Sequence, residues 1–250
     1  MVKLTNENQA KISAAISAVD YIEDGMTIGL GSGSTSAWMI EYLAKRILEE
    51  NLSIKGVPTS LATKNLAETN GISLTTLDQV KSLDLTIDGT DECDKNYNLI
   101  KGGGAALLHE KIVAKASKKV IIIADFSKYV NKLGNFPLPV EVIEFGWKFS
   151  KTQIESKLRQ LGYRNFKIEV RMSDDSVLKT DEGNLILDLK LGGINNPIKL
   201  SQELNLIPGV VENGLFVNIC NVLILGHANG EVETYDVLHN KITKKKINAD

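Results

Sequence analysis

The stretch 26–35, MTIGLGSGST, sets the reading of the fold. A short apolar run over 26–30 ends in Gly31-Ser32-Gly33-Ser34-Thr35, and an amphipathic helical stretch over 37–48 follows. The same unit recurs along the first half of the chain. Residues 53–57 lead into Pro58-Thr59-Ser60 and a helix through Glu68. Residues 83–87 lead into Asp88-Gly89-Thr90-Asp91, and residues 120–124 (VIIIA) lead into Asp125. Short β-branched runs alternating with helices predict a parallel sheet with both faces covered, because a strand buried on both sides reads as a continuous apolar run. In such sheets ligands bind beyond the carboxyl ends of the strands. Each polar loop named here falls at such an end, so loops distant in sequence are expected to meet in one cleft.

The chain changes character at KLGNFPLP, 132–139. Beyond it the pattern predicts a strand over 140–144, a helix over 151–161, a strand over 166–171, a turn at 181–184, a strand over 185–191 and a helix over 197–204. This β-α-β-β-α order is that of a split βαβ, ferredoxin-like α+β lobe. The apolar run 214–225 then returns the chain to the first sheet as a late strand. The expected division is residues 1–132 with 207–250 as one domain and 133–206 as the smaller lobe. The tail, which carries KITKKKI, reads as a solvated and partly disordered extension, or alternatively as a basic patch for an anion.

Composition bounds the function. The chain has 250 residues, is 43% hydrophobic, and carries 29 basic against 31 acidic side chains for a net charge of −2. That much apolar surface excludes disorder as the main state. Near-neutrality argues against nucleic acid as a partner. No apolar run approaches the ~18–20 residues of a membrane span, and the N-terminus lacks the apolar core of a signal peptide. Cys93 and Cys220 form neither a disulfide framework nor a zinc quartet. His109, His227 and His239 are too scattered for a His-rich metal site. The expectation is a cytoplasmic, reduced, soluble protein without a dedicated metal.

Three loops carry the chemistry. Gly29 to Thr35 matches neither G-x-G-x-x-G, since Ser34 and Ser36 stand where glycine is required, nor a P-loop. It remains a glycine-serine turn at a helix start, either a phosphate cradle built from backbone N–H groups or a tight turn with its N-cap. Lys101-Gly102-Gly103-Gly104 pairs a cation with a backbone that admits close approach, or else forms a hinge. In the helix after it, read over 105–118, Glu110 falls among Ala106, Val113 and Ser117. A carboxylate with such neighbours loses solvation and suits a general base, unless it is a surface glutamate paired with a lysine. Asp88 and Asp91 can ligate a divalent cation, bind hydroxyls and handle protons, or cap a helix.

Taken together, GLGSGST (29–35), GVPTS (56–60), DGTDE (88–92), LIKGGGAAL (99–107) with EKI (110–112), ADFSK (124–128), LGNFPLPVEV (133–142) and IPGVVENGLF (207–216) resemble the ribose-5-phosphate isomerase A family. The pieces stand in family order over nearly the whole chain. The resemblance implies a Rossmann-like parallel-sheet domain with a ferredoxin-like lobe, a cytosolic homodimer or higher oligomer, an aldose–ketose phosphate substrate of the pentose phosphate pathway, and no metal or organic cofactor. It further implies that Ser32, Gly33, Ser34 and Thr35 hold the phosphate with Lys128 and Lys11, that Asp88 and Asp91 are catalytic, binding hydroxyls with one of them assisting ring opening, and that Lys101, also catalytic, stabilises the enediolate with the N–H groups of Gly102 to Gly104. Glu110 would then shuttle a proton between C2 and C1 through an enediolate. Ser32 stands where the family commonly has threonine, Leu108-His109 replaces a polar-basic pair, and the tail beyond Glu231 is longer than is typical.

Two other classes fit the sequence less well. A deaminase or lactonase-like hydrolase would need an activating histidine, yet His109 points about 100° away from Glu110 on a helix. A sugar-phosphate sensor would normally accompany a DNA-binding helix pair and a basic face, and the chain has neither.

Overall fold

Val120 to Asp125 and Val222 to Gly226 are buried along their whole length, as strands in the middle of a sheet covered on both faces must be. In the computed structural model, which describes residues 5–247, they pair in parallel at the centre of a seven-stranded sheet. The strand order is Lys241–Lys246, Glu231–Asp236, Val222–Gly226, Val120–Asp125, Leu85–Gly89, Thr27–Leu30, Lys55–Pro58. The last five run parallel, and the first two are added antiparallel. Helices Asn6–Val19 and Ser34–Glu50 set Ala14, Ala18, Ile40 and Leu43 into one core with Ile28, Ile87, Ile121, Ile123 and Ile224. The expected α/β architecture with a parallel-rich sheet is what the chain forms.

The chain divides into two compact units, Met1–Thr90 with His109–Tyr129 and Ile219–Asp250, and Asp91–Leu108 with Val130–Asn218. The second unit holds an antiparallel sheet in the order Val210–Asn213, Leu138–Val142, Leu185–Lys190, Lys167–Val170. Helices Trp147–Gln160 and Pro197–Asn205 supply Ile154, Leu158, Leu200 and Leu204 to its core. This is the β-α-β-β-α-β order of a ferredoxin-like layer.

Three particulars differ from the sequence reading. The chain does not leave the lobe at 207, because Val210–Asn213 first pairs with Leu138–Val142 and covers an edge that would otherwise be open. Residues 91–108 belong with the lobe as well. The two- and three-residue strands Glu92–Asp94, Leu99–Ile100 and Leu215–Phe216 pair with one another and are too short to show a period. The basic tail is an edge strand, Lys241–Lys246, in register with Glu231–Asp236, and Glu233 lies opposite Lys244. Its exposed lysines are the charges that protect a sheet edge from further pairing. Residues 248–250 of that tail lie outside the described residues.

Candidate active site

Within the first unit, the polar loops sit where the alternation places them, at the carboxyl ends of the parallel strands Thr27–Leu30, Lys55–Pro58, Leu85–Gly89 and Val120–Asp125. The Gly31–Thr35 turn is fastened to its neighbours. Asp88 is 2% exposed, and its Oδ1 accepts the N–H of Ser32 at 3.1 Å and of Gly89 at 2.7 Å. A Cβ on Gly31 would stand 2.2 Å from that oxygen, so only glycine admits the approach. The Ser32 hydroxyl donates to Ser60 Oγ at 2.8 Å and lies within 3.0 Å of Thr59 Oγ1 and Thr63 Oγ1. Thr63 Oγ1 in turn donates to the carbonyl of Gly31 at 3.0 Å. Ser32 therefore braces the turn rather than presenting a free hydroxyl. The signal for its partners was the GVPTS stretch at the neighbouring strand end.

Beyond Ser32 the chain turns through Gly33, at φ +97°, straight into helix Ser34–Glu50, three residues before the expected start at 37. Helices Asn6–Val19, Leu61–Thr69 and Pro197–Asn205 each take an N-cap bond from a side chain. This one has none, so its first-turn N–H groups keep their donor capacity and their partial positive charge. Such an end, beside exposed Gly33 and Ser34 and buried Thr35, is suited to an oxyanion.

Helix Leu107–Lys115 begins two residues later and ends three residues earlier than expected. Its following turn is anchored at the amino end of the third of these strands, where Leu83 exchanges backbone bonds with Ala116 and Lys118 at 2.9 Å. Val113 packs with Val57 and Leu83. The helix thus runs back along the sheet, with Val113 Cγ1 2.5 Å from where a Cβ on Gly29 would stand, and the five residues from Lys115 to Glu110 rise about 7.5 Å in the direction of the strand's carboxyl end, the end that carries Asp88. Glu110 is 4% exposed, whereas glutamate is rarely so buried outside a functional or paired setting.

Two lysines approach one acid that the sequence reading passed over. Lys11 Nζ lies 2.5 Å from Glu7 Oε1. That bond, with the charge of Lys128 adding to it, holds the Glu7 carboxyl below the usual range. Lys128 ends a one-turn 3-10 helix whose N-cap is Asp125.

Within the second unit, Asp91 Oδ2 accepts the N–H of Gly103 at 2.8 Å and so holds the triple-glycine loop. Lys101 is 2% exposed, with its ammonium 5.4 Å from the centre of the Phe216 ring. Its N–H donates to the Gly214 carbonyl at 2.9 Å. Gly103 and Gly104 are exposed at the surface of this unit. Among the described residues, no group of three or more His, Cys, Asp or Glu side chains is arranged to hold a metal ion. No described helix is long and apolar enough to cross a membrane.

The profile of Ribose 5-phosphate isomerase A (phosphoriboisomerase A) matches residues 55–230. The ribose-5-phosphate isomerase A of Jannaschia sp. (strain CCS1) is 52% identical over 247 residues, 99% of this chain and 94% of that protein. The chain belongs to the ribose-5-phosphate isomerase A family. Solved members share its fold. The ribose 5-phosphate isomerase of Plasmodium falciparum superimposes with a TM-score of 0.83 at 34% identity, covering 96% of this chain and 98% of that one. A D-ribose-5-phosphate isomerase in complex with phospho-erythronic acid gives 0.82 at 38% identity, covering 97% and 100%.

Proposed function

We propose that Glu110 is the base of this isomerase, moving a proton between C2 and C1 of the open-chain sugar through an enediolate. The reaction is that of the family, the interconversion of D-ribose 5-phosphate and D-ribulose 5-phosphate. Moving a proton between adjacent carbons calls for one base that reaches both, donors for the developing oxyanion, and an anchor for the distant phosphate. The observation that carries the assignment is the near-complete burial of the Glu110 carboxylate on a helix leading toward the strand ends.

The open N-terminus of helix Ser34–Glu50, with Gly33, Ser34 and Thr35, holds the phosphate in the turn that Ser32 braces. Lys128 and Lys11 add charge to the same group. Lys101 and the N–H groups of Gly102 to Gly104 stabilise the enediolate, where negative charge develops. Asp88 and Asp91 bind sugar hydroxyls, and one of them assists ring opening. No metal or organic cofactor enters this chemistry, since proton transfer next to a carbonyl needs only the base and the donors. The setting proposed is cytoplasmic, with no nucleic acid or membrane as partner. The chain is proposed to act as a homodimer. Exposed Ile143, Phe145, Phe149 and Leu206 support this, being large apolar side chains left to solvent in the second unit.

The test is a coupled assay of ribulose 5-phosphate formation on the wild-type chain and on Glu110→Gln. The variant is expected to bind substrate with unchanged affinity and to lose roughly 10²–10⁴ in kcat, the range for a positioned base. Turnover within a few-fold of wild type would end the assignment.

A further inference from the structure

Arg171 enters none of the roles above, yet its guanidinium links Asp188 to the triple-glycine loop. The side chain starts where strand Lys167–Val170 ends, on a backbone held by Ile186 and Leu178. Its Nε and Nη2 form a two-pronged pair with the two oxygens of Asp188, at 2.8 and 2.5 Å. Nη1 donates to the carbonyls of both Gly102, at 2.7 Å, and Gly103, at 3.0 Å. Both side chains are largely buried, at 13% and 17% exposure, so the pair is not a screened surface contact.

The consequence follows from peptide geometry. In a trans peptide the carbonyl of one residue and the N–H of the next point in opposite directions. Drawing the Gly102 carbonyl to the guanidinium turns the Gly103 N–H the other way, where Asp91 Oδ2 accepts it at 2.8 Å. Drawing the Gly103 carbonyl to the same group turns the Gly104 N–H away as well. That N–H meets no acceptor among the described residues, and the loop then closes through Ala105, which is held at φ +59°, a conformation rare for alanine.

We infer that Arg171, braced by Asp188, is a positioning residue that orients the Gly103–Gly104 peptide so that its N–H is aimed at the enediolate oxygen. This inference rests on the isomerase reading and extends it to a residue that touches no substrate atom. Arginine is required because four N–H groups of one rigid plane are used at once. A lysine ammonium offers three donors from a single point and cannot span the carboxylate and both carbonyls.

Arg171→Lys and Asp188→Asn are tested by steady-state kinetics, by binding of phospho-erythronic acid, the compound held by a solved relative, and by amide exchange over residues 102–105. A donor displaced by about 1 Å costs on the order of 10² in rate. Arg171→Lys should therefore lower kcat about 10- to 100-fold with KM within about twofold. Affinity for phospho-erythronic acid should fall in step with kcat, and exchange should quicken in that segment alone. Asp188→Asn should show the same pattern more weakly, and it keeps the test open should Arg171→Lys fail to fold. Retention of kcat within twofold in both variants, or a loss confined to KM, overturns the inference. A wild-type chain without isomerase activity would instead overturn the functional reading, while unchanged exchange at 102–105 would separately refute the clamp.

Discussion

Glu7 shows how little of an electrostatic arrangement is visible one residue at a time. In sequence it is one acid near the N-terminus with nothing to single it out, and Lys11 and Lys128 are two basic side chains 117 positions apart. In the fold both lysines act on the Glu7 carboxyl, which Lys11 holds below its usual range by a direct bond. A phosphate at this place would compete with Glu7 for the same ammonium groups. A phosphate anchor of this kind acts on substrate and transition state alike, so its loss appears mainly in KM. Lys128→Ala is expected to raise KM about tenfold or more, from the roughly 1.5–3 kcal/mol of a charge-assisted bond, with kcat changed far less. Initial-rate measurements over a range of ribose 5-phosphate concentration check this, and an unchanged KM removes Lys128 from the phosphate site.

At the scale of the element, the edge strand Lys241–Lys246 is held by side-chain charge as well as by its ladder. Lys244 bonds Glu233 at 2.7 Å across the pair, and the Tyr235 hydroxyl donates to the same carboxylate. The Lys244 ammonium, then the Tyr235 hydroxyl, hold the Glu233 carboxyl below its ordinary value of 4.5. A depressed carboxyl contributes stability that is present above that value and is lost as pH falls through the depressed one. Amide protection of 242–246 should therefore weaken as pH drops below about 4.5, ahead of the core strands, when followed by hydrogen exchange. Lys244→Ala should remove most of that dependence. The sequence showed KITKKKI as a charged run without a partner, because the acidic residues that face it belong to another strand and the register is set by pairing.

For the whole molecule, the two cysteines report on the two units separately. Cys220 lies in the first unit and Cys93 in the second, both free and both buried. Burial pushes the Cys220 thiol up to about 12. A thiol reagent should therefore leave both side chains untouched in the native protein and label each as its own unit unfolds. Mass spectrometry along a denaturant series reads the two events. The raised thiol also fixes the sign of a pH effect. The folded chain keeps a proton that the unfolded chain releases near pH 9, so stability falls as pH rises from there toward 12, by at most about 1.4 kcal/mol per pH unit from this group. Denaturant melts at pH 8 and pH 10 would show it.

The order of strands, helices and polar loops was written in the sequence, because a strand buried on both faces must be apolar throughout and a loop at its end must be polar. This was enough to draw out Gly31 to Thr35, Asp88, Lys101 to Gly104 and Glu110 as chemistry-bearing, and the order of the motifs gave the family. Other features were settled only by the tertiary structure. Ser32 turns its hydroxyl inward to Thr59, Ser60 and Thr63. Residues 91–108 pack with the lobe, and Arg171 reaches the carbonyls of a loop some seventy residues earlier, as the 68- and 69-residue separations record. Local pattern reports which face of an element is buried. It carries no information about which distant donor meets which acceptor, since that is fixed by register and packing between elements that periodicity treats as independent.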